Sequence, residues 1–168
     1  PHLATDHASS EDVVLHALDR TREWGFLADV TVMLQCTSPL TLPEDIDGTV
    51  EALLAPAGMT GGVEYSSALS VTPFEKFLWW DMGTKKGVVG IQHDQTQRRE
   101  MRQERHGQFM ENGAVYAMKT EAFLDSGSRF CGYTNTYVMP KERSIEVDDP
   151  HDLVIAEALL NARLSVPA

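Results

Sequence analysis

Two carboxylates spaced two residues apart offer the sharpest chemistry in the chain. Glu146 and Asp148 stand in the run Ser144-Ile-Glu-Val-Asp-Asp149, followed by Asp152. In a β-strand, residues i and i+2 point to the same face, so a strand here sets both carboxylates side by side. Such a pair repels itself unless a cation lies between its members. Mg²⁺ suits that place, because it takes one or two carboxylates together with substrate phosphate oxygens. The competing reading is a helix start. Acidic side chains favour a helix N-terminus, and Asp149 and Asp152 are assigned to that role. For Glu146 and Asp148 both readings stay open on pattern alone.

Two further groups could bind. Leu34-Gln-Cys-Thr-Ser-Pro-Leu40 offers an amide, two hydroxyls and a Pro-stiffened backbone, which could hold a sugar or base by neutral hydrogen bonds. Arg98-Arg-Glu-Met-Arg-Gln-Glu-Arg105 sets four arginines against two glutamates. Planar guanidinium forks suit carboxylate or phosphate, but a solvated, self-paired stretch is the commoner fate of a charge run. The six histidines show no zinc-ligand spacing. His93, His106 and His151 sit in polar stretches and are expected to be solvated, and His16 is expected at the surface of the first helix. Cys36 adjoins the glutamine loop, yet no base is placed beside it by sequence, so it reads as a small packing residue. Trp79-Trp80 could stack a sugar; core or interface is the favoured reading.

The elements that must position these residues follow from periodicity. Ser9 with Asp12 resembles a capping box with Asp in place of Glu. It opens a helix whose apolar stripe is Val13, Val14, Ala17 and Leu18, with Gly25 as its stop. Asp29–Gln35 is a near-continuous apolar run and predicts a buried strand. Pro43 suits the first turn of a second helix, with Ile46, Val50, Leu53 and Leu54 inward. Strands are predicted over Ser67–Thr72, around Phe77–Trp80, from an Asn112-Gly113 turn into Met118, over Thr136–Met139 and over Ser144–Val147. Glu121–Leu124 suggests a short helical turn. Asp149 and Pro150 open a last helix whose Leu153, Val154, Ala156, Ala158, Leu159 and Leu160 supply apolar surface. Strand–helix–strand order with buried-type strands predicts an α/β layered domain with a mainly parallel sheet. Ligands of such sheets lie at the carboxyl ends of the strands, where the Gln35–Leu40 loop falls.

Composition bounds the rest. The chain has 168 residues, 42% of them hydrophobic, which suits one ordinary domain. Fourteen basic against 25 acidic residues give a net charge of -11, which argues against nucleic acid and anionic membrane as partners. Cys36 and Cys131 make no disulfide framework and fit a reducing compartment, so a cytoplasmic location is expected. No apolar run approaches the roughly 20 residues of a membrane span.

Taken in order, these segments resemble the acylneuraminate cytidylyltransferase family, the CMP-sialic acid synthetases. The resemblance rests on Ser9-Ser10-Glu11-Asp12-Val13-Val14, Leu34–Leu40, Asp45-Ile-Asp47, Ser67–Pro73, Arg102-Gln103, Asn112-Gly-Ala-Val-Tyr116 and Met139-Pro-Lys-Glu-Arg-Ser-Ile-Glu-Val-Asp148, with Asp152 and Glu157 behind. It covers nearly the whole chain, and the Phe77–Trp80 stretch looks like bacterial members. It implies a three-layer α/β/α nucleotide-diphospho-sugar-transferase-like domain over residues 1–168, with a mainly parallel mixed sheet. It also implies a homodimer formed through an excursion around 90–106 and 119–137. The implied reaction joins CTP to a sialic-acid-like nine-carbon 2-keto acid sugar and releases pyrophosphate, with Mg²⁺ offsetting phosphate charge. By position, Gln35 then lies near the acceptor sugar and is implied in catalysis. Arg102 holds its carboxylate, and Asn112 and Tyr116 form the site wall. Phe130 lines the neighbouring subunit's acceptor pocket, Ser9 or Ser10 contacts the nucleotide, and Glu146 and Asp148 hold the metal.

Three departures qualify the resemblance. Glu146 replaces the first Asp of the family's metal pair. Met110 stands where many members carry a second acceptor-binding arginine, which leaves the sugar open. The family's opening strand and basic Gly-rich phosphate loop have no counterpart at or after Pro1, so the chain is expected to be N-terminally truncated. A catalytically incomplete fragment, or a non-catalytic sugar-binding or dimerisation module of the same fold, is the alternative reading.

Overall fold

The computed structural model describes residues 3, 5, 8–83, 87–101, 104 and 107–164. It is a mixed α/β fold. In chain order the elements are α1 (Ser10–Glu23), β1 (Val30–Leu34), α2 (Pro43–Leu53), β2 (Ser67–Pro73), β3 (Trp79–Asp81), β4 (Val88–Gly90), β5 (Phe109–Lys119), α3 (Thr120–Ser126), β6 (Thr134–Val138), a 3₁₀ turn (Lys141–Arg143) and α4 (Pro150–Leu164). The chain falls into two compact units, Pro1–Thr72 with Glu111–Ala168, and Pro73–Met110. Of the expected excursion, residues 90–106 belong to the second unit and 119–137 to the first.

The first unit is built on a four-stranded mixed sheet in the order β1-β5-β2-β6. β1 and β5 are antiparallel, Val30 opposite Lys119 and Leu34 opposite Val115. β2 and β6 are parallel, Ser67 opposite Thr134. β5 also runs against β2: the Lys119 amide donates to Ser66 O at 2.9 Å, and four residues earlier the Val115 amide donates to Ser70 Oγ. Strand alternation divides the core. Val30, Val32 and Ala117 meet Leu53 and Val50 of α2. Met33 and Met118 meet Phe123 and Ala122 of α3 and Val14, Leu15 and Leu18 of α1. Among the core positions, Ala117, Met118 and Val115 are fully enclosed.

Local chemistry explains the ends of the elements. Ser9 Oγ accepts from the Asp12 amide at 3.0 Å, and the Asp12 carboxylate accepts from the Ser9 amide at 3.2 Å. This reciprocal box satisfies two donors that have no partner within the helix. Pro43 occupies the first turn of α2, and the Leu42 amide donates to Asp45 Oδ2 at 2.9 Å. Gly48 has a packing reason. A Cβ there would lie 2.2 Å from the Tyr137 ring, so a glycine lets α2 close onto β6.

Several expectations need correction. Asn112-Gly113 is not a turn: both residues lie inside β5, where Gly113 has φ 63°. A left-handed glycine within a strand is what a local bulge requires. Ser144–Val147 is not a strand. It is irregular chain after the 3₁₀ turn, so the same-face argument for Glu146 and Asp148 fails as stated. Cys36 is exposed, not packed. Val13 and Ala17 are exposed; the inward stripe of α1 is Val14, Leu15 and Leu18. In α4 Ala156 is buried, whereas Leu153, Val154, Ile155 and Leu160 are exposed. Apolar residues surround that helix, so no single polar face tells its inward side from the sequence.

The second unit holds an antiparallel β3–β4 hairpin, Trp79 opposite Gly90. Trp79 and Trp80 are 50% and 62% exposed in the chain, so they are not core. His93 is not simply solvated: its ring packs edge-on against Phe77 and Trp79, with centroids at 4.7 and 4.9 Å. The arginine run is partly self-paired, Arg98 Nη2 reaching both Glu104 oxygens at 2.9 and 3.1 Å. Arg99 lies over the Phe77 ring instead, 4.4 Å from its centroid. No helix among the described residues is long and apolar enough to cross a membrane.

Candidate functional site

The carboxyl end of β1 brings together Gln35, Asn112, Glu146 and Asp148 of the residues singled out by sequence. Beyond Leu34 the chain turns through the glutamine loop. The half-buried Gln35 donates its amide to Ala114 O at 3.3 Å, and its carbonyl accepts from the Ser38 amide at 3.2 Å. The irregular segment 144–148 lies against this loop, the Val147 amide donating to Thr37 O at 2.8 Å. Glu146 therefore stands beside the loop without a strand.

Glu146 is the electrostatic centre. Burial, then the charges of Asp148 and Glu111, push its carboxyl above the usual range. Its oxygens also occupy the space over Gly113, where a Cβ would stand 2.3 Å from Glu146 Oε1. A desolvated carboxylate crowded by two others is an arrangement that a cation would relieve. Among the described residues no group of three or more His, Cys, Asp or Glu has metal-holding geometry. A Mg²⁺ ion that draws its remaining ligands from water and phosphate needs no such group, so that finding leaves the pair Glu146 and Asp148 as it stands in the sequence. Asp148 is exposed, and its amide donates to Asp152 Oδ2 at 3.1 Å. Asp152 in turn donates its amide to Asp149 Oδ1. Asp149 and Asp152 thus have the helix-capping role expected of them.

Asn112 is 2% exposed, and its amide is surrounded by protein partners. Tyr116 is equally enclosed at 2%, its hydroxyl donating to Glu111. Burial and the Glu111 carboxylate hold that phenol well above its ordinary pKa, so it stays a neutral donor. Phe130 is 47% exposed and meets the Tyr116 ring edge-on at 6.1 Å. The Arg129 guanidinium lies 4.9 Å from the centroid of the Tyr116 ring and donates to Glu11 Oε1 at 2.6 Å. The hydrogen bond to Arg129 draws Glu11 below the usual carboxylate range despite partial burial. Ser9 caps α1 and Ser10 opens it, both exposed. Arg102 lies outside the described residues.

Glu111, Arg129 and Glu11 also lie around this group, and no pattern along the chain assigns them a role there. Glu111 lies in β5 just before Asn112, where the sequence signals a turn rather than a strand. Arg129 and Glu11 are 118 positions apart, and no local pattern pairs them.

No family model matches the chain.

Proposed function

We propose that this chain belongs to a nucleotidyltransferase that moves CMP from CTP to a sialic-acid-like nine-carbon 2-keto acid sugar, releasing pyrophosphate. One observation carries the reading: the half-buried Glu146, its carboxyl raised by burial and by the charges of Asp148 and Glu111, sits beside the Gln35–Leu40 loop at the carboxyl end of β1. That end is where α/β sheets hold their ligands. Helix contacts to opposite faces of β1 and β5 support the three-layer α/β/α arrangement that the family resemblance implies.

In this reading the anomeric hydroxyl of the sugar attacks the α-phosphorus, and the bond to the β-phosphate oxygen breaks. Mg²⁺, when bound, neutralises phosphate charge. Glu146 and Asp148 would hold the ion. Gln35 orients the acceptor by neutral hydrogen bonds, while Asn112 and Tyr116 stand behind the site wall. Arg102 supplies a guanidinium for the sugar carboxylate, and Ser9 or Ser10 meets the nucleotide at the start of α1. Positioning and electrostatics supply most of the rate. A homodimer belongs to the same proposal. The exposed Leu78, Trp79, Trp80, Val88 and Ile91 of the second unit support it, and Phe130 then lines the neighbouring subunit's acceptor pocket.

The test is pyrophosphate release by the full-length protein with CTP, Mg²⁺ and a panel of nine-carbon 2-keto acids. Release with one of them is expected. Sugar binding without release would favour the non-catalytic module instead.

A further inference from the structure

The amide of Asn112 is wholly engaged inside the protein. Oδ1 accepts from Ser70 Oγ at 2.7 Å and from the Ala114 amide at 3.3 Å. Nδ2 donates to Met139 Sδ and to Ser144 Oγ, both at 3.1 Å. The Ala114 N–H can only donate, which fixes which end of the Asn112 amide is oxygen. The main-chain carbonyl of Asn112 also accepts from Ser38 Oγ at 3.4 Å.

These bonds close a circuit. Asn112 holds Ser38 of the glutamine loop by its carbonyl and Ser144 by its side chain. Ser144 Oγ in turn donates to Pro140 O at 2.9 Å. The next residue after Ser144's neighbour is Glu146, and the Val147 amide then returns to Thr37, beside Ser38, at 2.8 Å. Among the described residues the segment 144–148 pairs with no strand; these contacts hold it together with the Ser144 amide on Lys141 O and the Asp148 amide on Asp152 Oδ2. The adjoining Gly113 leaves the space that the Glu146 carboxylate fills.

We propose that Asn112 is a positioning residue: through Ser144 it sets where Glu146 and Asp148 stand relative to the glutamine loop, and it does not itself touch the sugar. The consequence for metal binding rests on the proposed function; the positioning rests on the hydrogen-bond circuit alone. Outer-shell hydrogen bonds of this kind typically change metal affinity by roughly 10–100-fold.

The experiment compares Ser144→Ala, Ser144→Thr and Asn112→Asp in the full chain by two readouts. The first is hydrogen exchange of the Val147 amide, which requires no metal. The second is Mn²⁺ titration. Ser144→Ala is expected to speed Val147 exchange about tenfold and to weaken Mn²⁺ binding about tenfold, with little change in Tm. Ser144→Thr keeps the hydroxyl and restores both. Asn112→Asp loses the donor to Ser144 and behaves like Ser144→Ala; should it fail to fold, the serine pair alone decides. Unchanged Val147 exchange in Ser144→Ala overturns the proposal. Faster exchange in a protein whose wild type binds no Mn²⁺ upholds the positioning and overturns the metal reading.

Discussion

The carboxylate of Glu146 fills the place that a side chain on Gly113 would take, 2.3 Å from the position of its Cβ. Glycine is needed twice there, for φ 63° and for the space. The left-handed backbone alone costs a non-glycine residue about 1 kcal/mol. The Glu146 carboxylate is the flexible end of a side chain and can swing away. Gly113→Ala is therefore expected to lower stability by only about 1–2 kcal/mol in urea denaturation. The larger effect falls on Mn²⁺ affinity, because Glu146 is displaced. A loss of stability with unchanged Mn²⁺ affinity would separate Gly113 from the site.

Asp45 is fully buried and is held by Arg143, Nε to Oδ2 at 3.0 Å and Nη2 to Oδ1 at 2.5 Å. Tyr137 Oη reaches the same carboxylate at 3.5 Å. Removing one member of a buried pair leaves a desolvated charge and typically costs about 3–5 kcal/mol. Arg143→Met strands the enclosed carboxylate, whereas Asp45→Ala leaves a guanidinium whose side chain is 19% exposed and can reach water. Thermal and urea unfolding should find Arg143→Met at least as destabilising as Asp45→Ala. The reverse order would show that the Leu42 amide cap on Asp45 matters more than the ion pair.

Glu146 gives the protein a pH signature. Burial, with Asp148 and Glu111, raises its folded-state pKa above the ordinary 4.5. Between the ordinary value and the raised one, the folded state binds more protons than the unfolded, so stability falls as pH rises. Above the raised value the penalty is complete. Without metal, Glu146→Gln should match wild type below pH 4.5 and exceed it in Tm at pH 7. With saturating Mg²⁺ the wild type should regain the lead, since it alone retains the carboxylate. A Tm gap that is equal at both pH values in the absence of metal would contradict the crowding of Glu146.

Much of this framework is readable from local chemistry. Ser9 with Asp12 and Pro43 mark helix starts because caps act within a turn. Asp29–Gln35 reads as a strand because its apolar run is nearly continuous, but the burial expected of it fails: β1 is half-buried at the sheet's end, with Leu34 exposed. The Asn112-Gly113 pair misleads for a definite reason: the positive φ that makes Asn-Gly a turn signal serves a bulge equally well. The strand predicted over Ser144–Val147 fails because alternation reports only a tendency to extend. It does not report whether a neighbouring strand is free to pair. Pairs such as Glu11 with Arg129, or Asp45 with Arg143, arise from the tertiary fold and have no signature along the chain. The carboxylates and the glutamine loop were visible as residue types. Their juxtaposition through Thr37 and Val147 was not.

The central claim is tested most directly by following CTP, Mg²⁺ and N-acetylneuraminate or a related nine-carbon 2-keto acid by phosphorus NMR. The full-length wild type is compared with Asp148→Ala. The account predicts a CMP-sugar phosphodiester signal and stoichiometric pyrophosphate with wild type, and neither with the variant. No product with any such sugar would contradict the proposed function. Near-normal turnover by Asp148→Ala would contradict the role given to the two carboxylates.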